Sequence, residues 1–254
     1  MIANEKDKEG LRIAGTHLEF ILQTLAGMVK PGVSVLSLNK KAEKMILDYG
    51  DIPALLNYKP RGAIRSFPAT LCVAVNDTVV HGIPTERNII LQDGDIIGLD
   101  TTLVHNGYVV DSGITVPVGN VSKEAVKLIR VTKEALYVGI EAAKIGSTVG
   151  DIGHAIEEYV RRYGYGIVRE LCGHGVGKEI HEEPSIPNYG KSGEGPKLKE
   201  GMVIAIEPML NEGGSGVIFD DDGYTVRTAD GTRSAHFEHT LVVTKKGPEI
   251  FTDV

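Results

Sequence analysis

The chain has 254 residues, 42% of them hydrophobic and 24% charged, which is the balance of an ordinary globular protein. Its two cysteines, Cys72 and Cys172, form no CxxC pair, which argues against a disulfide scaffold or a thiolate zinc site and favours a reducing compartment. The formal net charge of −7 disfavours general nucleic-acid binding. No run approaches the roughly 18 apolar residues of a membrane span, and the first ten residues have no apolar secretory core, so a cytoplasmic location without membrane contact is expected.

The predicted elements are amphipathic helices and short apolar strands. Hydrophobic periodicity predicts helices at 5–29, 37–49, 122–144 and 148–163. Thr148 with Asp151 resembles a capping box at the start of the last of these. A loop rich in Pro, Gly and Arg occupies 57–68. Strands are predicted at 69–75, 95–105, 108–116, 201–207 and 235–244, and Asn106-Gly107 predicts a hairpin between the second and the third.

An internal similarity relates two parts of the chain. A shift of 114 residues aligns several identical residues, namely Lys30 with Lys144, Gly32 with Gly146, Val35 with Val149, Tyr49 with Tyr163 and Gly50 with Gly164. This similarity predicts two related α+β halves that share one core, with a site between them. The alternative is a chance likeness of two amphipathic helix pairs.

Two aspartates belong to the predicted hairpin. With Asn106 and Gly107 as the turn, Asp111 lies opposite Thr102, and Asp100 shares the face of Thr102. Asp100 and Asp111 are then diagonal neighbours with β-carbons roughly 7–8 Å apart. Because an unpaired buried carboxylate is costly, the pair is expected to bind one or two cations; alternatively, one of them caps a turn or meets an arginine.

Further polar residues stand beside apolar runs or glycines. Glu207 and Glu238 each adjoin a predicted strand, where the alternative is a salt-bridged core glutamate. His174 lies between glycines, which permit a close backbone approach, and His181 follows seven residues later. His81 precedes Gly-Ile-Pro and is either a site residue or a satisfied loop histidine.

Known motifs of other chemistries are missing. The chain has no GxxxxGK[ST], GxGxxG, HExxH or GxSxG pattern, which argues against nucleotide binding, zincin and serine hydrolase chemistry. A ligand set of four carboxylates and one imidazole would balance two divalent ions. Such an oxygen-rich set suits Mn²⁺, Fe²⁺, Co²⁺ or Zn²⁺; its members are Asp100, Asp111, His174, Glu207 and Glu238.

These segments resemble the type I methionine aminopeptidases over roughly residues 5–250. The most specific motifs are Asn76-Asp-Thr-Val-Val-His81-Gly-Ile-Pro84, Asp100 with Asp111, Gly173-His174-Gly-Val-Gly177, His181-Glu-Glu-Pro184, Ile206-Glu207-Pro208-Met209 and Glu238-His239-Thr240. The resemblance implies an α+β pita-bread fold, in which two pseudo-symmetric halves surround a central curved antiparallel sheet. It also implies one catalytic domain over 1–254 and removal of an N-terminal methionine that precedes a small second residue.

The resemblance further implies a role for each site residue. Asp100 would bind one metal, His174 and Glu207 the other, and Asp111 and Glu238 would bridge the two. His81 would contact the scissile peptide, His181 the substrate carbonyl, and Glu207 would carry the proton. Phe67, Cys72 and Tyr224 would contact the methionine side chain. The implied cofactors are two divalent ions (Co, Mn, Fe or Zn). The implied partners are nascent polypeptide N-termini whose amino group is free after deformylation. The resemblance also implies a monomer that contacts the ribosome transiently.

Two other functions remain possible for this fold, and three residues differ from the family pattern. An X-Pro dipeptidase of the same fold usually carries a separate N-terminal domain, and a non-catalytic relative would lose metal ligands, whereas all five are present here. Tyr224 stands where relatives often have Trp, and Ile180 and Ile64 also depart from the family pattern. These three residues are expected at the pocket rim, where they would alter side-chain preference and not the reaction.

Overall fold

A computed structural model describes residues 1–60 and 62–253; Arg61, in the predicted 57–68 loop, and Val254, at the end of the expected domain, lie outside the described residues. The described helices are α1 Glu5–Met28, α2 Val35–Asp48, α3 Lys123–Ala142 and α4 Val149–Arg161. The strands are β1 Ile52–Pro53, β2 Cys72–Val75, β3 Thr78–Val80, β4 Ile96–His105, β5 Tyr108–Pro117, β6 Gly166–Ile167, β7 Gly173–Gly175, β8 Glu182–Ile186, β9 Val203–Ile206, β10 Met209–Asn211, β11 Val217–Phe219, β12 Val226–Thr228, β13 Ser234–His236, β14 Glu238–Thr244 and β15 Gly247–Ile250.

The four helices are amphipathic, and α1, α3 and α4 begin with a side-chain cap. The capping box predicted for α4 is confirmed, because the Thr148 hydroxyl accepts from the Asp151 amide and the Asp151 carboxylate accepts from the Thr148 amide. Helix α1 has an equivalent box made by Asn4 and Asp7. Helix α2 begins at Val35, two residues before its predicted start. The apolar faces of these helices pack against the large sheet in one continuous core.

The large sheet has the strand order β1-β4-β5-β14-β9-β7-β8, with β2 also paired to β4 and β15 to β14. Every one of these pairings is antiparallel. The predicted hairpin register is confirmed, since His105 lies opposite Tyr108 and Thr102 opposite Asp111. The β4–β5 hairpin therefore presents Asp100 and Asp111 on one face, as the alternation of strand side chains requires.

The internal similarity corresponds to a repeated structural unit. A shift of 114 residues carries the end of α1 at Met28 onto the end of α3 at Ala142, and the start of α2 at Val35 onto the start of α4 at Val149. The same shift carries β1 onto β6. Two related α+β halves thus flank the shared sheet, as expected.

One predicted strand was wrong. The run 235–244 is divided at Phe237 into β13 and β14, which pair with different neighbours: β13 with β10, and β14 with β5 and β9. Phe237 is itself buried in the main core, so the apolar run continues through a change of sheet. The short strands β7 and β8 were not predicted, because glycines and charged residues weaken their strand pattern. In residues 1–60 and 62–253, no helix is long and apolar enough to cross a membrane.

Candidate active site

Five adjacent strands of the large sheet each bring one candidate metal ligand to the same cleft. In sheet order, β4 carries Asp100, β5 carries Asp111, β14 carries Glu238, β9 leads directly into Glu207, and β7 carries His174. Pairing across the sheet aligns these positions, because Gly113 of β5 lies opposite both Asp100 and Glu238. The five residues that sequence reasoning singled out as ligands are therefore gathered from positions up to 138 residues apart along the chain.

The His174 imidazole is oriented by its own backbone surroundings. Its Nδ1 donates to the Gly175 carbonyl at 2.9 Å, which assigns the lone pair to Nε2. That Nε2 lies 3.5 Å from Glu207 Oε1 and 4.0 Å from Glu238 Oε1. The flanking glycines are required by packing, because a Cβ at Gly173 would lie 2.4 Å from the Ala205 carbonyl oxygen. A histidine whose second nitrogen is fixed by a carbonyl is the usual arrangement of a metal ligand.

The donor set of the cleft fits divalent cations. Asp111 and Glu238 are only 6% and 2% exposed, and within residues 1–60 and 62–253 Asp111 Oδ1 and Glu238 Oε1 have no hydrogen-bond partner. Among the residues that the structure describes, no lysine or arginine pairs with any of the four carboxylates, and the ion-pair partners of Glu207 and Glu238 are histidines. Ligand atoms of Asp111, His174 and Glu238 all lie within 4.8 Å of one another. Buried charges without partners are costly, and bound cations would compensate them.

The same arrangement shifts the proton affinities of the carboxyl groups. Loss of hydration, with a smaller contribution from neighbouring carboxylates, raises the pKa of Asp100, Glu207 and Glu238 well above the usual values. Burial also raises the pKa of Asp111. Burial, with help from His181 and His174, lowers the pKa of His81 to about 4, so that this imidazole is neutral at physiological pH.

The remaining predicted site residues lie around the ligands. The cleft has a volume of about 100 Å³, and its lining includes His81, His181, Phe67, Cys72 and Tyr224 together with all five candidate ligands. Their individual roles stay predictions. His181 is exposed at the opening, and its ring centroid lies 4.5 Å from that of His174.

The backbone of His81 is in an uncommon conformation. Its φ of 60° belongs to the left-handed region that residues other than glycine rarely adopt. Such a conformation costs of order 1–3 kcal/mol and is found mainly at functional sites. Val73 of β2 holds the segment by donating its amide to the Gly82 carbonyl at 3.0 Å. The imidazole is thereby kept at the cleft wall, which favours a functional histidine over a satisfied loop residue.

The apolar end of the cleft is formed by side chains from two distant segments. Phe67 and Tyr224 make an edge-to-face contact with centroids 5.2 Å apart and planes at 78°. Cys72 lies beside them, and burial raises the pKa of its thiol well above the usual value, so the sulfur is uncharged. An uncharged sulfur and an aromatic pair form a polarizable surface of the kind that suits a thioether.

Two polar residues of the site were missed by sequence reasoning. Tyr58 lines the cleft, and its hydroxyl lies 3.0 Å from His181 Nδ1. His236 is buried, and its Nε2 lies 3.8 Å from Glu207 Oε2 and 4.0 Å from Glu238 Oε2. Its position two residues before Glu238 was an available signal. Nothing in the sequence around Tyr58 indicated its contact with His181, because the two are 123 residues apart.

The three residues that depart from the family pattern lie in different surroundings. Tyr224 lines the cleft, as expected. Ile180 instead packs in the main core and does not line the cleft. Ile64 is 77% exposed, and a Cβ at Gly223, next to Tyr224, would lie 3.3 Å from its side chain, so its expected place at the pocket rim stays a prediction. Ile180 directs its side chain inward while the next residue, His181, faces the opening, which separates two residues that are neighbours in sequence.

Comparison with known proteins agrees with this geometry. The profile of metallopeptidase family M24 matches residues 9–245. A methionine aminopeptidase of Clostridium acetobutylicum is 44% identical over 252 residues, which cover 99% of this chain and 98% of that protein. The crystal structure of methionine aminopeptidase from Rickettsia prowazekii has a TM-score of 0.94 and 42% identity, covering 100% of this chain and 99% of that one.

An X-Pro peptidase shares the fold at a greater distance. The Xaa-Pro dipeptidase from Bacillus anthracis has a TM-score of 0.74 and 23% identity, and the match covers 100% of this chain but 62% of that one. At this identity the likeness concerns the fold alone. The expected α+β pita-bread fold is confirmed, and the X-Pro alternative is not favoured. The chain belongs to metallopeptidase family M24 and, within it, to the methionine aminopeptidases.

Proposed function

We propose that this metal-dependent hydrolase cleaves the peptide bond after an N-terminal methionine. The proposal rests on one observation: the five candidate ligands and the apolar wall of Phe67, Cys72 and Tyr224 line the same cleft. A methionine side chain against this wall would leave its α-amino group and scissile carbonyl beside the carboxylates.

The candidate ligands would hold two divalent cations, drawn from Co²⁺, Mn²⁺, Fe²⁺ and Zn²⁺. Asp111 and Glu238, the two residues that the family resemblance assigns to both ions, would hold them at the centre of the set; both are buried, and one ligand atom of each lies within 4.8 Å of the other and of a ligand atom of His174. Asp100 would complete one ion's shell, and His174 and Glu207 the other's. Four carboxylates match the charge of two divalent ions. When bound, such ions lower the pKa of water and polarise a carbonyl.

The chain's own residues would position the substrate and move the proton. Glu207, whose pKa is raised by loss of hydration, would accept the proton of the attacking water and return it to the leaving amine. Neutral His81 would contact the scissile amide from the cleft wall. His181, held by the Tyr58 hydroxyl at 3.0 Å, would donate to the substrate carbonyl as negative charge develops there.

The proposed substrates are nascent polypeptide N-termini with a small second residue. Their amino group must be free, after deformylation, because a formyl group would occupy the space beside the carboxylates. We place the activity in the cytoplasm, in a monomer whose residues 1–254 act as one catalytic domain that contacts the ribosome transiently.

The test is reconstitution of the chelated enzyme. Mn²⁺, Co²⁺, Fe²⁺ and Zn²⁺ are added back separately, and release of free methionine from Met-Ala-Ser is measured beside cleavage of an X-Pro dipeptide. Methionine release that returns only with metal, and no X-Pro cleavage, is expected. Cleavage of the X-Pro dipeptide alone would refute the proposed substrate class. No cleavage of either substrate with any metal would refute the proposed activity.

A further inference from the structure

A second cluster of metal-binding residue types lies outside the cleft. His17 on α1, Asp51 just before β1 and His105 at the end of β4 meet there, and we call them the His17 cluster. The Asp51 Oδ2 atom lies 2.7 Å from His17 Nδ1, and its Oδ1 lies 2.6 Å from His105 Nδ1. The three residues thus come from separate elements and converge on one carboxylate. His105 is five residues beyond Asp100 on β4, which places the cluster about 17 Å from the cleft along the strand.

The central carboxylate of the cluster is buried without a permanent cation. The Asp51 side chain is 1% exposed, and in residues 1–60 and 62–253 its ion-pair partners are the two histidines alone. A bound cation would stabilise such a buried carboxylate, and no lysine or arginine of the described residues supplies one here. The histidines are 20% and 16% exposed, so an ion can reach them from solvent.

The two imidazoles are held in place by contacts on their other sides. The His17 ring stacks on Tyr49, with centroids 4.0 Å apart and planes at 10°. His105 Nε2 lies 2.9 Å from the side-chain amide of Asn106. With an ion on Nδ1, His105 would carry its proton on Nε2 and donate it to the amide oxygen of Asn106, because the two ends of an amide exchange by a simple flip. Contacts of this type orient the histidine ligands of metal sites.

From this geometry we propose that the His17 cluster is a further divalent-cation site that takes zinc or a similar imidazole-binding metal. Its candidate ligand atoms already lie within 4.8 Å of one another. With bonds of about 2 Å, neighbouring ligand atoms in a tetrahedral site are about 3.3 Å apart. His17 Nδ1 and His105 Nδ1 lie 2.7 and 2.6 Å from different oxygens of Asp51, so the carboxylate has to shift for one oxygen to serve as the ligand. Two histidines and one carboxylate leave a fourth position for water, as in open zinc sites.

A cation at the His17 cluster would tie three parts of the fold together. It would join α1 to the end of β4 and to the residue that precedes β1, which itself pairs with β4. The chain continues from β1 to Leu55 and Tyr58, which line the cleft. The role assigned to the cation is therefore structural: it anchors the start of a segment that forms part of the cleft wall.

The experiment compares zinc stoichiometry among matched histidine variants. Wild type, His105→Gln and His17→Gln are stripped with chelator, loaded with Zn²⁺, passed through gel filtration and analysed for zinc per chain. His154→Gln, on α4 and outside both clusters, is the control. Wild type and the control are expected to retain one more zinc per chain than either cluster variant. Equal stoichiometry in all four proteins would overturn the proposal.

A second measurement keeps the test valid if a cluster variant fails to fold. Crystals of the wild-type protein soaked in Zn²⁺ are measured at the zinc absorption edge, and an anomalous peak between His17 Nδ1, His105 Nδ1 and Asp51 is expected. Peaks in the cleft alone would contradict the proposal. A peak at the cluster with an empty cleft would support this inference and count against the proposed function, so the two can fail separately.

Discussion

Replacing Asp111 with Asn removes one negative charge from the cleft while keeping the side chain's size. Ligand oxygens of Asp111 and Glu238 lie within 4.8 Å of each other, and both residues are buried. Two unit charges at that distance repel by about 3.5 kcal/mol at an effective dielectric constant of about 20. In the chelated protein no bound metal offsets this repulsion. It therefore lowers the stability of the folded wild type at pH values where both carboxyl groups are ionised.

The expected result is a variant that is more stable than wild type without metal and defective with it. The amide introduced by Asp111→Asn would lie near Glu238, whose Oε1 has no hydrogen-bond partner among the residues that the structure describes. Burying an imperfectly paired amide costs about 2 kcal/mol. Subtracting this cost from the relieved repulsion of about 3.5 kcal/mol leaves a net stabilisation of about 1.5 kcal/mol. For a chain of this size that corresponds to a rise in Tm of about 3–6 °C. Metal content and methionine release should both fall.

The pH dependence of this difference has a definite sign. Burial raises the pKa of Asp111 and of Glu238 in the folded protein, so the folded chelated state binds more protons than the unfolded state. Its stability therefore decreases as the pH rises above the ordinary carboxyl pKa of about 4, by up to about 1.4 kcal/mol per pH unit for each extra proton. Asp111→Asn should flatten this dependence, and the two proteins should converge near pH 4.

Urea denaturation in EDTA, with elemental analysis of the loaded proteins, decides the question. Asp48→Asn is the matched control, because Asp48 is 61% exposed, pairs with Lys44 alone in the described part of the chain, and should change stability by less than about 0.5 kcal/mol. Destabilisation of chelated Asp111→Asn by more than about 1 kcal/mol, or binding of the full metal complement, would refute the reasoning. The first outcome would assign Asp111 a structural hydrogen-bonding role, and the second would remove its bridging role.

The other predictions concern the proton carrier, a helix cap and the pocket wall. Glu207→Gln should lower kcat for methionine release by about 10²–10⁴-fold with little change in KM, which steady-state kinetics would detect; unaltered kcat would exclude Glu207 as the carrier. Thr148→Ala should cost about 1 kcal/mol in urea denaturation. Hydrogen bonds from Ser192 and Thr148 lower the pKa of Asp151 to about 2. The stability that Asp151 contributes should therefore be present above pH 4 and lost toward pH 2. An Asp151→Asn variant whose free energy of unfolding falls with acid as in wild type would contradict this. Phe67→Ala should reduce kcat/KM for Met-Ala-Ser by about 10–200-fold, and unchanged discrimination between methionine and norvaline would argue against a pocket role.

Local patterns were enough to predict the helices, the hairpin and much of the ligand set. Helix α4 begins where Thr148 and Asp151 indicate, and the β4–β5 register follows from the Asn106-Gly107 turn. These features depend on residues a few positions apart, so their free energies are largely decided within the segment. Acids at the ends of apolar runs, such as Glu207, were conspicuous because burial of an isolated charge is unfavourable.

Long-range strand order was decided only by the packing of the whole chain. The insertion of β14 between β5 and β9 brings Glu238 beside Asp111, and no local preference specifies that neighbour. The break at Phe237 has the same origin, since a continuous apolar run is divided between two sheets to cover two parts of the core. The contact between Tyr58 and His181 likewise joins segments whose closeness depends on every strand between them. Residue types and spacing thus identified which groups carry the chemistry, whereas burial of the complete core decided which of them meet.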